Sequence, residues 1–363
     1  MAIPQTRHPA KHPARIITVI TDHFINNLDV LGINYKLSDE IELRIHRHPQ
    51  VNIRGTEVSY NFDIMISNGG QNEGFNFGNV LPSHRYVKLA RYDKFTQAIQ
   101  LLNALEDYKA THDAMTCLHA KFLPVPTWFV GVNSNRSFPN VKGKVVIKPQ
   151  DGARGIGQFV VDTLHINLHQ FNKSLDKYLA GEHTAEAFQV FLDGFKGHVS
   201  YYSRDEDKPG EGLECLKEQG AIVQSFIPDV SAEYRVITGA DGEPVYFQKR
   251  RFRDENSAYP QATGGGDTID VDARVTNPLA KDVHSNALFM YLCKHVIGPL
   301  NSIDLFITSD GHWGIFEFCN QFGVTGIPAG IAEEIHAKFM ENVVASFIYG
   351  ENPPRTIDTG TEE

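Results

Sequence analysis

The sequence predicts an α/β fold, and three stretches carry that expectation. Residues 16–20 (Ile-Ile-Thr-Val-Ile) form a compact β-branched run that ends at Thr21-Asp22, the composition of a buried strand entering a polar turn and suited to a parallel sheet. In residues 93–120 the apolar positions Phe95, Ala98, Ile99, Leu101, Leu102 and Leu105, then Ala110, Met115 and Leu118, recur mainly at helical spacing. Residues 145–157 join a second β-branched run to Lys148 and to a loop holding Gly152, Arg154, Gly155 and Gly157.

Composition sets the class. The chain has 363 residues, 41% of them apolar and 21% charged, as in a soluble globular protein with room for two or three sub-domains. Cys117, Cys215, Cys293 and Cys319 are far apart with no Cys-x-x-Cys pair, so neither a disulfide framework nor a cysteine zinc site is expected, and a reducing compartment fits. Residues 1–15 mix three prolines with basic side chains and hold no apolar core of a secretory signal. No run approaches the ~18 apolar residues of a membrane span. The expectation is a cytoplasmic protein with no membrane partner. A formal charge of −10 gives no general attraction to nucleic acid, and no nucleic-acid partner is expected.

Taken in order, residues 41–46 alternate as a half-exposed strand, and residues 62–66 read as a buried one that stops at Ser67-Asn68-Gly69-Gly70. With residues 16–20 they imply an N-terminal α/β unit of about a hundred residues. Residues 93–120 read as two helices broken near Asp107. Pro124 and Pro126 return the chain to extended structure, because proline has no N–H to donate and biases the residue before it away from the helix. Residues 159–161 are the returning strand of a hairpin. Beyond them a helix is expected around residues 171–180 and a strand at 198–202, and Pro209 and Gly210 mark 204–211 as a charged loop. His165 and His169, four apart, have the spacing to share a metal on one helix face, but no third ligand is near in sequence, so they read as surface histidines.

Residues 221–227 form a further strand, stopped by Pro228-Asp229. Residues 233–237 and 244–250 are two strands joined across Gly239-Ala-Asp-Gly242. A helix is expected over 281–295, and residues 304–308 and 313–318 form a hairpin about Ser309-Asp-Gly311. The tail after Pro353 is polar and expected to lack order.

Chemistry concentrates in a few of these stretches. Glycines let backbone N–H groups approach an anion, and Lys148 would set an ammonium beside it. The pattern is neither a Walker A loop nor a Gly-x-Gly-x-x-Gly turn, and by itself it fits a plain strand and glycine turn as well. Lys249 to Arg253 hold four cations in five residues, which suits a bound anion or a solvated charge run. Asp304 and Glu317 lie on paired strands of the last hairpin, with Asn320 just beyond. Hard oxygen donors that converge in this way are the set magnesium prefers. Cations, backbone N–H donors and Mg2+ are the recurring parts of a phosphoryl-transfer site.

The order of these elements resembles the ATP-grasp superfamily, in particular its ribosomal-protein glutamate ligases and glutathione synthetases, over about Lys109 to Gly323. Asp107-Tyr-Lys109 with the Pro-Val-Pro-Thr run at 124–127 looks like the family's Asp-Lys helix and following strand, which makes Lys109 the first ATP lysine. Lys148 and the glycine loop match the second lysine and the phosphate lid. Gln224-Ser225-Phe226-Ile227 is similar to the adenine hinge, with Ser225 in place of the usual acid. Glu233-Tyr-Arg235 resembles the family's Asp-Ile-Arg, with Glu233 toward the ribose and Arg235 toward a phosphate or substrate carboxylate. Lys249 and Arg250 match its basic strand end. Asp304, Glu317 and Asn320 resemble the metal ligands, although the family's Glu-x-Asn is here Glu317-Phe-Cys-Asn320. Either a bulge restores Asn320, or Cys319 occupies the ligand position.

The resemblance implies a Rossmann-like unit at 1–105 and a two-lobed α+β ATP-grasp fold, with the small lobe at 106–223, the large lobe at 224–350 and a tail at 351–363. It implies ATP and Mg2+, or Mn2+, as cofactors and a carboxylate–amine ligase acting on a small-molecule or peptide acid and an amine. Arg250, Lys249 and Arg235 would be the catalytic cations. A homo-oligomer is compatible with it. The alternatives are an inactive nucleotide-binding or assembly protein on the same fold, and a kinase-like phosphotransferase.

Overall fold

The computed structural model describes residues 15–21, 33–36, 41–47, 64–67, 85–89, 93–131, 138–150, 157–195, 197–202, 209–239, 241–250, 272–299, 301–319, 328, 330–331 and 357–358. The chain divides into two compact units, one made of Met1–Arg91 with Ala332–Glu363 and the other of Tyr92–Ile331.

In the first unit the β-branched run at 16–20 becomes strand β1 (Arg15–Thr21), paired in parallel with β3 (Ile41–Arg47) and β4 (Ile64–Ser67). β4 pairs in parallel with β5 (Arg85–Leu89), and β2 (Ile33–Lys36) runs antiparallel to β3. Neither β2 nor β5 stands out in the sequence, since Ile-Asn-Tyr-Lys and Arg-Tyr-Val-Lys-Leu are too short and mixed, and pairing rather than propensity makes them strands. In the tail, expected to lack order, Ile357–Asp358 pairs with β5.

The second unit contains two antiparallel sheets. The first has the order β6-β10-β7-β8-β9, built from β6 (Thr127–Val130), β7 (Lys144–Pro149), β8 (Gln158–Asp162), β9 (Val199–Tyr202) and β10 (Ala221–Ser225). Alternation sends Val145, Ile147, Phe159, Val161 and Val223 to one face, where they are buried with Phe171, Leu175, Phe188 and Leu213 of three helices. These helices are α3 (Leu168–Leu179), α4 (Ala185–Asp193) and α5 (Pro209–Gln219). Lys148 faces the other way, opposite Ile222 of β10.

The other sheet has the order β12-β11-β13-β14, from β11 (Val230–Thr238), β12 (Pro244–Lys249), β13 (Ser302–Thr308) and β14 (Trp313–Cys319). One face buries Tyr234, Val236, Phe247, Ile303, Leu305 and Phe318 against helices α1 (Lys94–Thr111), α7 (Pro278–His284) and α8 (Ala287–Leu292), with the short α6 (Ala273–Thr276) beside them. The extended segment expected around Pro124 lies along β14: Leu123 N–H donates to Trp313 O at 2.7 Å and Trp313 N–H to Lys121 O at 3.0 Å. Gly314 permits that approach, because a Cβ there would stand 2.4 Å from Leu123 O.

Four local expectations change. α1 runs through Asp107, which is exposed, and the break falls at His112-Asp113, where Asp113 caps α2 (Ala114–His119) through Thr116 N–H at 2.8 Å. The single helix expected at 281–295 is interrupted at Ser285-Asn286, because Asn286 caps α8. It then ends in a π-helical turn, Cys293–Ile297. Pro209 opens α5 instead of disrupting it, since proline is well suited to the first helical turn. α4 was not expected at all: it is short, and its cap is the single hydroxyl of Thr184.

Candidate active site

The face of the four-stranded sheet turned away from the helices is charged. Arg235 of β11 is the cross-strand partner of Asp304 on β13, and Asp304 that of Glu317 on β14. Directly opposed residues share a face, so one row carries a cation and two acids, with Glu233 two positions before Arg235 on the same face. The Arg250 N–H donates to Glu233 O at 2.9 Å, which returns its side chain to this row. Its Nη2 lies 2.5 Å from Asp304 Oδ1, and Arg235 Nε lies 3.4 Å from the same oxygen.

Two lysines reach the other acid. Lys148 Nζ, from the centre of the five-stranded sheet, and Lys94 Nζ, from the first turn of α1, each stand 3.6 Å from Glu317 Oε2. The start of α1 is fixed by its cap. Asp93 Oδ1 accepts from the Phe95 and Thr96 N–H groups at 2.9 Å each, and the Lys94 N–H donates to Gln150 O just past β7. β14 is the edge strand of its sheet in the strand order, and buried Gln97 of α1 accepts the Phe318 N–H at 3.0 Å.

Electrostatics tie these groups together. Burial pushes the Lys148 ammonium below its usual range, helped by Lys94 and opposed by Glu317 and Asp304. Burial alone would raise the Glu317 carboxyl, but Lys94, Lys148, Arg250 and Arg235 outweigh it and hold that carboxyl ionised. Arg250 is held charged by Asp304, Glu233 and Glu317 against the effect of its burial. Glu233, only 6% exposed, is pushed by burial to about 8, with Asp304 adding to the rise and Arg250 and Lys148 opposing it, so it carries a proton at neutral pH. Four basic side chains therefore face two carboxylates and one neutral carboxyl, an excess of positive charge that suits a polyanion.

The structure gathers Lys148, Glu233, Arg235, Arg250, Asp304 and Glu317. It does not bring in Lys109, which is exposed near the end of α1 and pairs with Glu106 at 2.8 Å. Fifteen residues of helix put it roughly 22 Å along the axis from Lys94. Lys94, which the sequence did not single out, joins Lys148 at Glu317. The feature that could have found it is Asp93, a capping residue directly before the helical pattern. Lys249, expected beside Arg250, is the cross-strand partner of buried Tyr234, so it starts from the opposite face of the sheet and is exposed.

In the expected adenine segment, Gln224 is buried and donates to Thr127 Oγ1 at 3.1 Å. Ser225 and Phe226 give their N–H groups to the Pro126 and Lys144 carbonyls, and Ile227 packs with Val125 and Phe306. Gly157 is the turn residue directly before β8, with φ of +72°, whereas Gly152, Arg154, Gly155 and Asn320 lie outside the described residues. β14 keeps its register from Glu317 to Cys319, and its one irregularity precedes Glu317, so alternation puts Cys319 on the face of Glu317.

Neither the models of known protein families nor the curated proteins match this sequence. Among solved structures it is similar to the D-alanine-D-alanine ligase from Bacillus anthracis, with 14% identity and a TM-score of 0.46 over 93% of this chain and 100% of that one. It is also similar to the D-cycloserine synthetase DcsG, with 13% identity and a TM-score of 0.42 over 90% and 99% of the two chains. A RimK domain ATP-grasp protein from Sphaerobacter thermophilus gives 10% identity and 0.40 over 89% and 97%. Overlaps at this level carry no argument about chemistry, which rests on the side chains. Among the described residues no helix is long and apolar enough to cross a membrane.

Proposed function

We propose that this chain is an ATP-dependent carboxylate–amine ligase of the ATP-grasp kind. One observation carries the reading: two lysines from different elements stand 3.6 Å from the Glu317 carboxylate, while Asp304 opposite it is held by Arg250 and Arg235. Paired cations and acids in one row form a site that can exchange partners, phosphate oxygens taking the cations and a divalent ion taking the acids. Asp304 and Glu317 are hard oxygen donors and fit Mg2+, or Mn2+, which would neutralise charge on the triphosphate.

In this reading Lys148 and Lys94 grip the ATP phosphates, Lys94 in the role expected of Lys109. Glu233 takes the ribose hydroxyls, for which either protonation state offers an acceptor oxygen. The acid substrate's carboxylate oxygen attacks the γ-phosphorus, the bond from that phosphorus to the β,γ-bridging oxygen breaks, and ADP leaves. The amine nitrogen then adds to the acyl phosphate carbon, phosphate leaves with the bonding electrons, and the nitrogen gives up a proton. Arg250 and Arg235 stabilise the charge that develops on the acyl phosphate and on the tetrahedral intermediate. No covalent nucleophile of the protein is needed.

The test is ADP release by the purified chain with Mg-ATP, screened against pooled amino acids, peptides and polyamines. Release that requires an acid and an amine together supports a ligase. Release with a hydroxyl acceptor and no amine makes the chain a kinase-like phosphotransferase. Binding of Mg-ATP without turnover in any pool makes it a nucleotide-binding protein on this fold.

A further inference from the structure

Away from the charged row, the turn after β8 and the start of β9 bring together one carboxylate and two imidazoles. We propose that Asp162, His165 and His198 form a binding site for a divalent transition metal of the zinc class. A ligand atom from each lies within 4.8 Å of the others. His165 Nδ1 is 2.9 Å from Asp162 Oδ2, and the His165 and His198 rings stack at 5.0 Å and 13°.

The backbone that carries the three side chains is fixed by hydrogen bonds. Asp162 N–H donates to His198 O at 2.8 Å, His198 N–H to Phe195 O at 2.9 Å, and His165 N–H to Asp162 O at 3.2 Å. Buried Thr163 anchors the turn: its hydroxyl donates to Val141 O at 2.6 Å and accepts from the Gly143 N–H at 3.0 Å. Asp162 Oδ1 accepts from Leu164 N–H, which leaves Oδ2 turned to the imidazoles. Ligands around tetrahedral zinc stand about 3.3 Å apart, so the set closes by a small rotation of His165, which is exposed and able to swing.

Two nitrogens and one carboxylate oxygen select Zn2+, Co2+, Ni2+ or Cu2+ over Mg2+, and three protein ligands leave a position for water or an outside ligand. Lys144, across the ladder from Asp162, turns its ammonium to the Phe226 ring at 5.8 Å. The site is separate from the charged row. Lys144 and Lys148 lie four residues apart on β7, roughly 13 Å.

The test uses the full chain stripped by chelator and titrated with Zn2+ against a chromophoric competitor, in excess Mg2+ to fill oxygen-rich sites. Co2+ then serves as a spectroscopic probe. The expected result is one tight equivalent with a tetrahedral Co2+ spectrum, weakened about 100-fold in His198→Ala and His165→Ala and retained in His169→Ala. Circular dichroism checks that the variants fold, and His165→Ala alters an exposed side chain on a turn. Equal affinity in wild type and both variants, or no tight equivalent, overturns the site. ADP release with Mg-ATP does not enter this outcome.

Discussion

The two faces of the four-stranded sheet share every strand and differ in everything else. On one, Ile303, Leu305 and Tyr234 are fully buried against helices; on the other, one peptide unit away, Asp304, Glu233 and Arg235 form a row of charge. The difference teaches that one period-two pattern encodes stability and chemistry together. The apolar face contributes by excluding water, about 25 cal/mol for each Å2 buried. The charged face costs desolvation that its ion pairs only partly offset. A substitution should therefore be readable by its face.

The largest effect is expected on the charged face. Glu317→Gln keeps the shape of the side chain but removes the charge that Lys94 and Lys148 share, and should lower ATP turnover by ~1,000-fold, with Lys148→Ala and Lys94→Ala of the same order. The fold should survive, because Glu317 is not in the apolar cluster. Unchanged ADP release in all three variants would remove the site assignment. Leu305→Ala on the other face comes next. It should cost about 3 kcal/mol in urea unfolding and leave the turnover of the folded fraction near normal. A variant as stable as wild type would contradict the burial of that face.

Glu233 sharpens the comparison through pH. Its carboxyl keeps a proton in the folded chain up to about 8, whereas the unfolded chain releases it near the ordinary 4.5. The folded state thus binds more protons between these values, and this group's contribution to stability falls as pH rises through that window, by up to ~1.4 kcal/mol per pH unit. Glu233→Gln should flatten that decline without moving the behaviour below pH 4. Parallel melting curves for the two proteins across pH 5 to 8 would show that the carboxyl is not held neutral.

Which parts were legible follows from how each is encoded. β1 and β7 announce themselves by β-branched runs, and β13 and β14, with Asp304 and Glu317, by the turn at Ser309-Asp-Gly311 that makes them a hairpin. Local pattern suffices there. Lys94 was hidden because its partner is reached through tertiary docking, the first turn of α1 against Gln150, and no local periodicity records that. His198 was hidden from His165 for the same reason, being brought in by β9 from 33 residues away. Lys249 was misread because a dense charge run ignores alternation: Arg250 and Lys249 are neighbours in sequence and leave on opposite faces.

The smallest expected effect is the most discriminating for α1. Its two ends carry one lysine each, Lys94 with side-chain exposure of 11% against Glu317 and Lys109 with 47% beside Glu106. An exposed pair three residues apart on a helix contributes about 0.5 kcal/mol at most, because water screens it and both side chains lose rotamer freedom in forming it. Lys109→Ala should therefore leave Mg-ATP affinity within about twofold of wild type and shift stability by no more than that pair. Nucleotide affinity measured side by side for Lys94→Ala and Lys109→Ala decides which end of the helix meets the phosphates. If Lys109→Ala were the one to weaken binding, α1 would have to dock by its C-terminal end, which its cap at Asp93 and the Gln97 bond to β14 oppose.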